Sequence, residues 1–169
     1  ERYADDEDHF THVFETLFKP AIEKNDLNPI SPIVEGTELI HSRIIKHLAQ
    51  AELVLCDMSA LNPNVFFEFG IRTALNKPVA LVIDNKTVGI PFDTGIINHY
   101  KYDASLNGWS NEEEVQNLKK HIEQTIRNED NQNSLWKFFG IQQIGDFNPE
   151  NITTDQKINM MFDMMNRLT

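Results

Sequence analysis

Two short apolar runs on either side of a helical pattern constrain this chain more than any other feature. Leu53–Asp57 and Val79–Ile83 are too short for helices and read as buried strands. Between them Asn62-Pro63 opens a helix, with Asn as the N-cap and Pro at the first helical position. That helix carries Val65, Phe66, Phe69, Ile71 and Leu75 before Asn76-Lys77-Pro78 stops it. Strand, helix and strand in this order predict a parallel pair joined by a crossover.

The alternation extends both ways. Upstream, Asp5–Glu23 reads as a helix with Phe10, Val13, Phe14, Leu17 and Phe18 along one stripe. Pro20 is expected to bend or end its first segment. Residues 27–34 contain Pro29 and Pro32, so they make a short edge strand at best. A second helix, Thr37–Gln50, buries Leu39, Ile40, Ile44, Ile45 and Leu48. Downstream, Ile90-Pro91-Phe92-Asp93 is a loop and Ile96–Tyr102 a last short strand. Ser110–Asn128 is an amphipathic helix opened by a Ser110/Glu113 capping box. The fold class is therefore α/β with a mostly parallel sheet. Such sheets usually open on a strand, so a first strand and its ligand-lining loop are expected ahead of residue 1. Residues 1–128 form the α/β domain and residues 129–169 a helical extension on this reading. Within the extension lie an aromatic helix, Leu135–Phe139, and a Met-rich helix, Thr153–Leu168. The latter's stripe of Ile158, Met161, Phe162 and Met165 packs on the domain or on a partner.

Charge narrows the partners. With 26 acidic and 15 basic residues, the net charge of -11 argues against a nucleic-acid backbone or an anionic membrane. A small anionic ligand remains compatible, because helix N-terminal amides and one or two Arg hold a phosphate. The single cysteine, Cys56, precludes an internal disulfide and fits a reducing, cytoplasmic compartment. It reads as a buried strand thiol rather than a nucleophile. No apolar run approaches the ~20 residues of a spanning helix, and no signal peptide is visible. No metal site is expected. His41 and His47 share a helix without an acidic motif, and His9, His12 and the run Asp5–Asp8 read as a solvated helix start. Walker and Gly-x-Gly-x-x-Gly loops are absent.

The chemistry concentrates between Asp57 and Gly70. Asp57 ends a buried strand, and ligands of parallel sheets bind beyond the carboxyl ends of strands. Ser59, Asn62 and Asn64 follow in the loop and helix start, and Glu68 lies one and a half turns in, among Phe66, Phe67 and Phe69. A carboxylate in that setting needs a raised pKa or a specific partner, which is how catalytic carboxylates are tuned. Two carboxylates on one rim can divide roles at an anomeric carbon. The bland alternatives are equally concrete. Asp57 caps the turn after its strand, and Glu68 pairs with Arg72 four residues on.

The string AELVLCDMSALNPNVFFEFGIRTALNKPVALVI closely resembles a stretch of TIR-like and nucleoside 2-deoxyribosyltransferase-like domains. Ile90–Asp93 with Tyr100 and the helix Glu38–Leu48 resemble flanking parts of the same domains, so the likeness spans roughly residues 8–103. It implies a flavodoxin-like three-layer sandwich and a Glu acting at a ribose, at the position of Glu68. It further implies Ser59, Asn62 and Asn64 lining the sugar and phosphate. Phe66 or Phe67 would stack near the base, and Arg43 or Arg72 would reach a phosphate. Asn62 and Asn64-Val65 replace the acidic and small residues of the transferase motif, which points to NAD+ hydrolysis rather than base exchange. NAD+ is then a substrate, with no cofactor implied, and Asp57 alone is left for an acid's part. Such domains serve as antiphage effectors that self-assemble or join a sensor module. A deoxyribosyltransferase, a nucleotide N-glycosidase and a non-catalytic nucleotide-binding or assembly module are the alternatives.

Overall fold

The computed structural model describes residues 3, 6–30, 40–89, 98–106, 111–127 and 136. Three strands, β1 (Val54–Asp57), β2 (Val79–Asp84) and β3 (His99–Tyr102), form a parallel sheet in the order β1-β2-β3. In register, Asp57 lies beside Val82, and Asp84 beside Tyr102. β2 thus ends two residues beyond β1, and β3 ends level with β2.

Side chains of a strand alternate between faces, and both faces here are apolar. Leu53, Leu55, Ala80, Val82 and Tyr102 meet one layer of helices, while Val54, Cys56, Val79 and Leu81 meet another. On the first face pack α1 (His9–Val13) through α2 (Lys19–Glu23), and α5 (Asn111–Ile126), by way of Val13, Leu17, Phe18, Ala21, Val115, Leu118 and Ile122. On the second lies α4 (Pro63–Ala74), through Val65, Phe66 and Phe69. The α/β class and its parallel sheet are as expected. Both short apolar runs are strands because neither face is open to water.

Several details differ from expectation. The first helix starts at His9, after a turn in which the amide of His9 donates to the Asp6 carbonyl. Pro20 does not end it. Helical structure runs to Glu23, and the turn Phe14–Phe18 ahead of Pro20 opens into a π-turn. Proline has no amide hydrogen and its ring crowds the carbonyl four residues back, which a wider turn relieves. Leu27–Ile30 carries no strand, and 31–34 lie outside the described residues. The second helix, α3, is described over Ile40–Gln50. The third strand is described over His99–Tyr102, Asn98 before it is not in the strand, and 96–97 lie outside the described residues. So do the Ile90–Asp93 loop, Ser110 of the capping box, the Met-rich helix and all of Leu135–Phe139 but Trp136. Trp136 is buried and its indole N–H donates to the Thr73 carbonyl, so the extension is anchored on α4 at this point. No helix among the described residues is long and apolar enough to cross a membrane.

Arg72 ties the α4 side together. It is fully buried, and its guanidinium donates to three carbonyls: Leu48 at 2.6 Å, Glu52 at 2.9 Å and Pro78 at 3.2 Å. The C-terminal end of α3, the lead into β1 and the lead into β2 are thereby fixed by one side chain. Burial lowers its pKa to about 10, still well above neutrality. Arg72→Met strips the charged donor from three carbonyls, of which only that of Pro78 keeps a backbone donor among the described residues, the Val54 amide at 3.4 Å, and is expected to cost roughly 3 kcal/mol in urea denaturation. Arg72→Lys is expected to recover less than half of that, since an ammonium cannot reproduce the planar fork.

Candidate functional site

The sheet's carboxyl edge is organised by buried polar groups. Asp57 accepts from the Ser59 amide at 3.0 Å, from the Ser59 hydroxyl at 2.5 Å and from the Tyr102 hydroxyl at 2.9 Å. Ser59 also accepts the Asp84 amide at 2.8 Å. Asp84, 0% exposed, accepts from the Thr87 amide at 2.7 Å and from the Tyr3 hydroxyl. The Thr87 hydroxyl in turn accepts the Ala60 amide at 3.0 Å. Burial raises the Asp57 pKa, and the bonds from Ser59 and Tyr102 oppose that rise. Tyr102 is pushed well up, by burial first and then by the Asp57 charge.

The loop leading out of this network is strained. Ala60 and Leu61 have φ of 57° and 55°, a left-handed conformation that costs a non-glycine residue about 1 kcal/mol or more. Thr87 holds Ala60, and the Leu61 amide donates to the Met58 carbonyl at 3.2 Å. The two left-handed residues turn the chain sharply from β1 into α4. Asn62 then caps the helix, its side chain accepting the Asn64 amide at 2.9 Å, with Pro63 at the first position. This is the cap the residue types predict.

Glu68 differs from the other carboxylates. It is half-buried on α4, and burial alone raises its pKa. Among the described residues, every other carboxylate that is not exposed has a hydrogen-bond partner: Asp6 with His12, Asp57 with Ser59, Asp84 with Thr87, Asp103 with Asn85, Glu114 with Tyr100, Glu123 with Lys119. None bonds Glu68. The pairing with Arg72 does not form, because that guanidinium is committed to carbonyls. The Glu68 charge is felt at Cys56, whose thiol is pushed up to about 12 by burial first and then by Glu68. The thiol is therefore inert.

The expected site residues separate into groups. Asp57 and Ser59 join in one buried network, and Asn62 and Asn64 sit exposed at the start of α4. Phe66 packs into the core with Cys56, Phe69 and Leu81. Phe67 is 63% exposed on the outer side of α4. At 100° per residue, Phe66 lies about 200° around the helix from Glu68, so the two do not share a face. Arg72 does not face a ligand: it is spent inside the fold. Arg43 is half-buried on α3. Asp84, Thr87, Tyr102 and Tyr3 were not anticipated. Asp84 reads in sequence as the residue after a strand, and only the register places it beside Tyr102. Among the described residues, which do not include Asp5, there is no group of three or more His, Cys, Asp or Glu side chains that could hold an ion. Instead His12 and Asp6 pair at 3.0 Å, and His9 is buried.

Comparison with family models, with curated proteins and with solved structures finds no match to this chain.

A carboxylate whose pKa is raised on folding favours the fold in its protonated form. That contribution is complete below the unfolded pKa near ~4 and is lost as pH rises through the folded value. At pH 7 the ionised Glu68 therefore costs stability. Glu68→Gln is expected to raise the melting temperature at pH 7 by roughly 1–3 °C. The gap is expected to close below about pH 4 in the same thermal scan.

Proposed function

We propose that this chain hydrolyses NAD+ at the bond between nicotinamide and ribose, as a TIR-like domain of flavodoxin-like architecture, with Glu68 as the catalytic carboxylate. The observation that carries this reading is the half-buried Glu68, one and a half turns into α4 and without a hydrogen-bond partner among the described residues. A carboxylate held out of water with no cation beside it gains most when positive charge develops next to it. The breaking of an N-glycosidic bond supplies that charge, at the anomeric carbon. The parallel order β1-β2-β3 with helices on both faces accords with a flavodoxin-like sheet, whose ligands sit beyond the strands' carboxyl ends.

In this mechanism Glu68 stabilises the ribosyl cation or captures it as an ester, and water completes the hydrolysis. The products are nicotinamide, ADP-ribose and a proton. Nicotinamide departs as a neutral base from a cationic pyridinium, so no general acid is needed. Asp57, engaged by Ser59 and Tyr102, then serves to hold the loop between β1 and α4 rather than to protonate a leaving group. Ser59 does the same from inside the network, and Asn62 and Asn64 stand at the rim. The same occupancy of Asp57 disfavours base exchange between nucleosides, which needs proton transfer to the departing base. The reading extends to an effector that works as an assembly of copies or beside a sensor module.

The test is nicotinamide release at high protein concentration, wild type beside Glu68→Gln. The variant is expected to lose at least about a hundredfold in rate with its circular dichroism unchanged. Equal rates in both, or no release from wild type, overturn the reading. Nucleobase-dependent exchange would instead identify a transferase, and nucleotide binding without turnover a binding module.

A further inference from the structure

The two aspartates at the sheet edge are satisfied in different ways. Asp57 takes all its bonds from Ser59 and Tyr102, side chains belonging to the sheet and the loop that leaves it. Asp84 takes one bond from within, the Thr87 amide on Oδ1, and one from without. The outside donor is the phenol of Tyr3, 81 residues away in the chain, on Oδ2. Nothing cationic bonds this fully buried carboxylate among the described residues. Tyr3 thus covers Asp84 Oδ2. Its ring stacks on His9 with centroids 4.4 Å apart and meets Phe10 edge-on at 5.1 Å, and the Lys86 ammonium lies 5.5 Å from its centre. Tyr3 itself is half-buried, and Phe10 is 45% exposed, so this cover rests on the surface rather than in the core.

A second observation points to a ligand at this spot. His9, 4% exposed and stacked on the same ring, has a buried Nε2 with no hydrogen-bond partner among the described residues. A native fold rarely leaves such a nitrogen unsatisfied without cause. Around the one Tyr3 side chain the structure therefore gathers an acceptor at its hydroxyl, Asp84 Oδ2, and an imidazole stacked on its ring with an unsatisfied nitrogen. Asp84 lies at the carboxyl end of β2, where ligands of parallel sheets bind.

We propose that Asp84 is a hydroxyl-binding carboxylate of this site, and that Tyr3 is a displaceable lid whose phenol occupies the place of a ligand's sugar hydroxyl. A vicinal diol fits best: one hydroxyl donates to Asp84 in place of Tyr3, and its neighbour meets His9. The diol replaces the lost bond with one of the same kind, so displacement leaves the carboxylate satisfied. The inference rests on the ribose-bearing ligand of the proposed function, but not on turnover.

The experiment is equilibrium binding of ADP-ribose to wild type, Tyr3→Phe and Asp84→Asn, with tyrosine nitration mapped by peptide mass spectrometry. Removing the competing phenol is expected to tighten ADP-ribose binding by about tenfold in Tyr3→Phe. Asp84→Asn, isosteric and still an acceptor for Thr87, is expected to weaken it by at least about tenfold. Nitration of Tyr3 in wild type is expected to rise when ADP-ribose is bound, which a purely structural tyrosine would not show. Unchanged or weaker binding in Tyr3→Phe overturns the proposal, as does a fall in Tyr3 nitration or an absence of binding to all three proteins. Tighter binding in Tyr3→Phe without NAD+ consumption would leave the lid standing and remove the hydrolase. NAD+ consumption with an affinity indifferent to Tyr3 would do the reverse.

Discussion

One hydroxyl, that of Ser59, joins the ends of two strands. It donates to Asp57 at the end of β1 and accepts the backbone amide of Asp84 at the end of β2. The register puts Asp57 two residues short of Asp84's level, and the Ser59 turn spans that step. Without this junction the β2 amide would be buried unsatisfied, at a cost of about 1–3 kcal/mol. The left-handed turn at Ala60 and Leu61 follows directly on Ser59, and the Thr87 hydroxyl holds it from the far side. The start of α4, and with it Glu68, is placed by that turn.

Support for the junction comes from the opposite face of the sheet. Tyr102, whose hydroxyl reaches Asp57, is 1% exposed, and its ring meets Phe18 edge-on at 5.6 Å and 88°. Phe18 closes the π-turn that precedes Pro20. The wider turn is thus both a local answer to proline and the element that seats an aromatic ring behind the site. Aromatic pairs in this geometry contribute about 1 kcal/mol beyond their burial. A chain of contacts therefore runs from a helix on one face, through Tyr102 and Asp57, to the loop that launches the helix on the other.

The parts legible in the sequence were those set by local pattern. The two buried strands, the helix between them and its Asn62-Pro63 start follow from apolar runs and cap chemistry, and they appear where expected. What was hidden depends on register and on contacts distant in sequence. Asp84 gains meaning only because parallel pairing sets it beside Tyr102 and Ser59, and Tyr3 only because the fold brings together two residues 81 positions apart. Helical spacing also misled through proximity. Phe66, Phe67 and Glu68 are consecutive, but a helix sends them to the core, to water and to a flank.

Arg72 shows why spacing underdetermines partners. An i,i+4 carboxylate and guanidinium on one helix ordinarily meet in water for a few tenths of a kcal/mol. Here the guanidinium turns inward to the carbonyls of Leu48, Glu52 and Pro78. Bonds from a charged donor to such carbonyls are each stronger than the exposed ion pair they displace. The clamp wins, and Glu68 is left half-buried without its natural counter-charge. The same side chain that locks α3, α4 and the strand approaches together therefore creates the carboxylate's exposed need for a positive partner. In that sense the lack of a partner for Glu68 among the described residues is a consequence of how the fold is held.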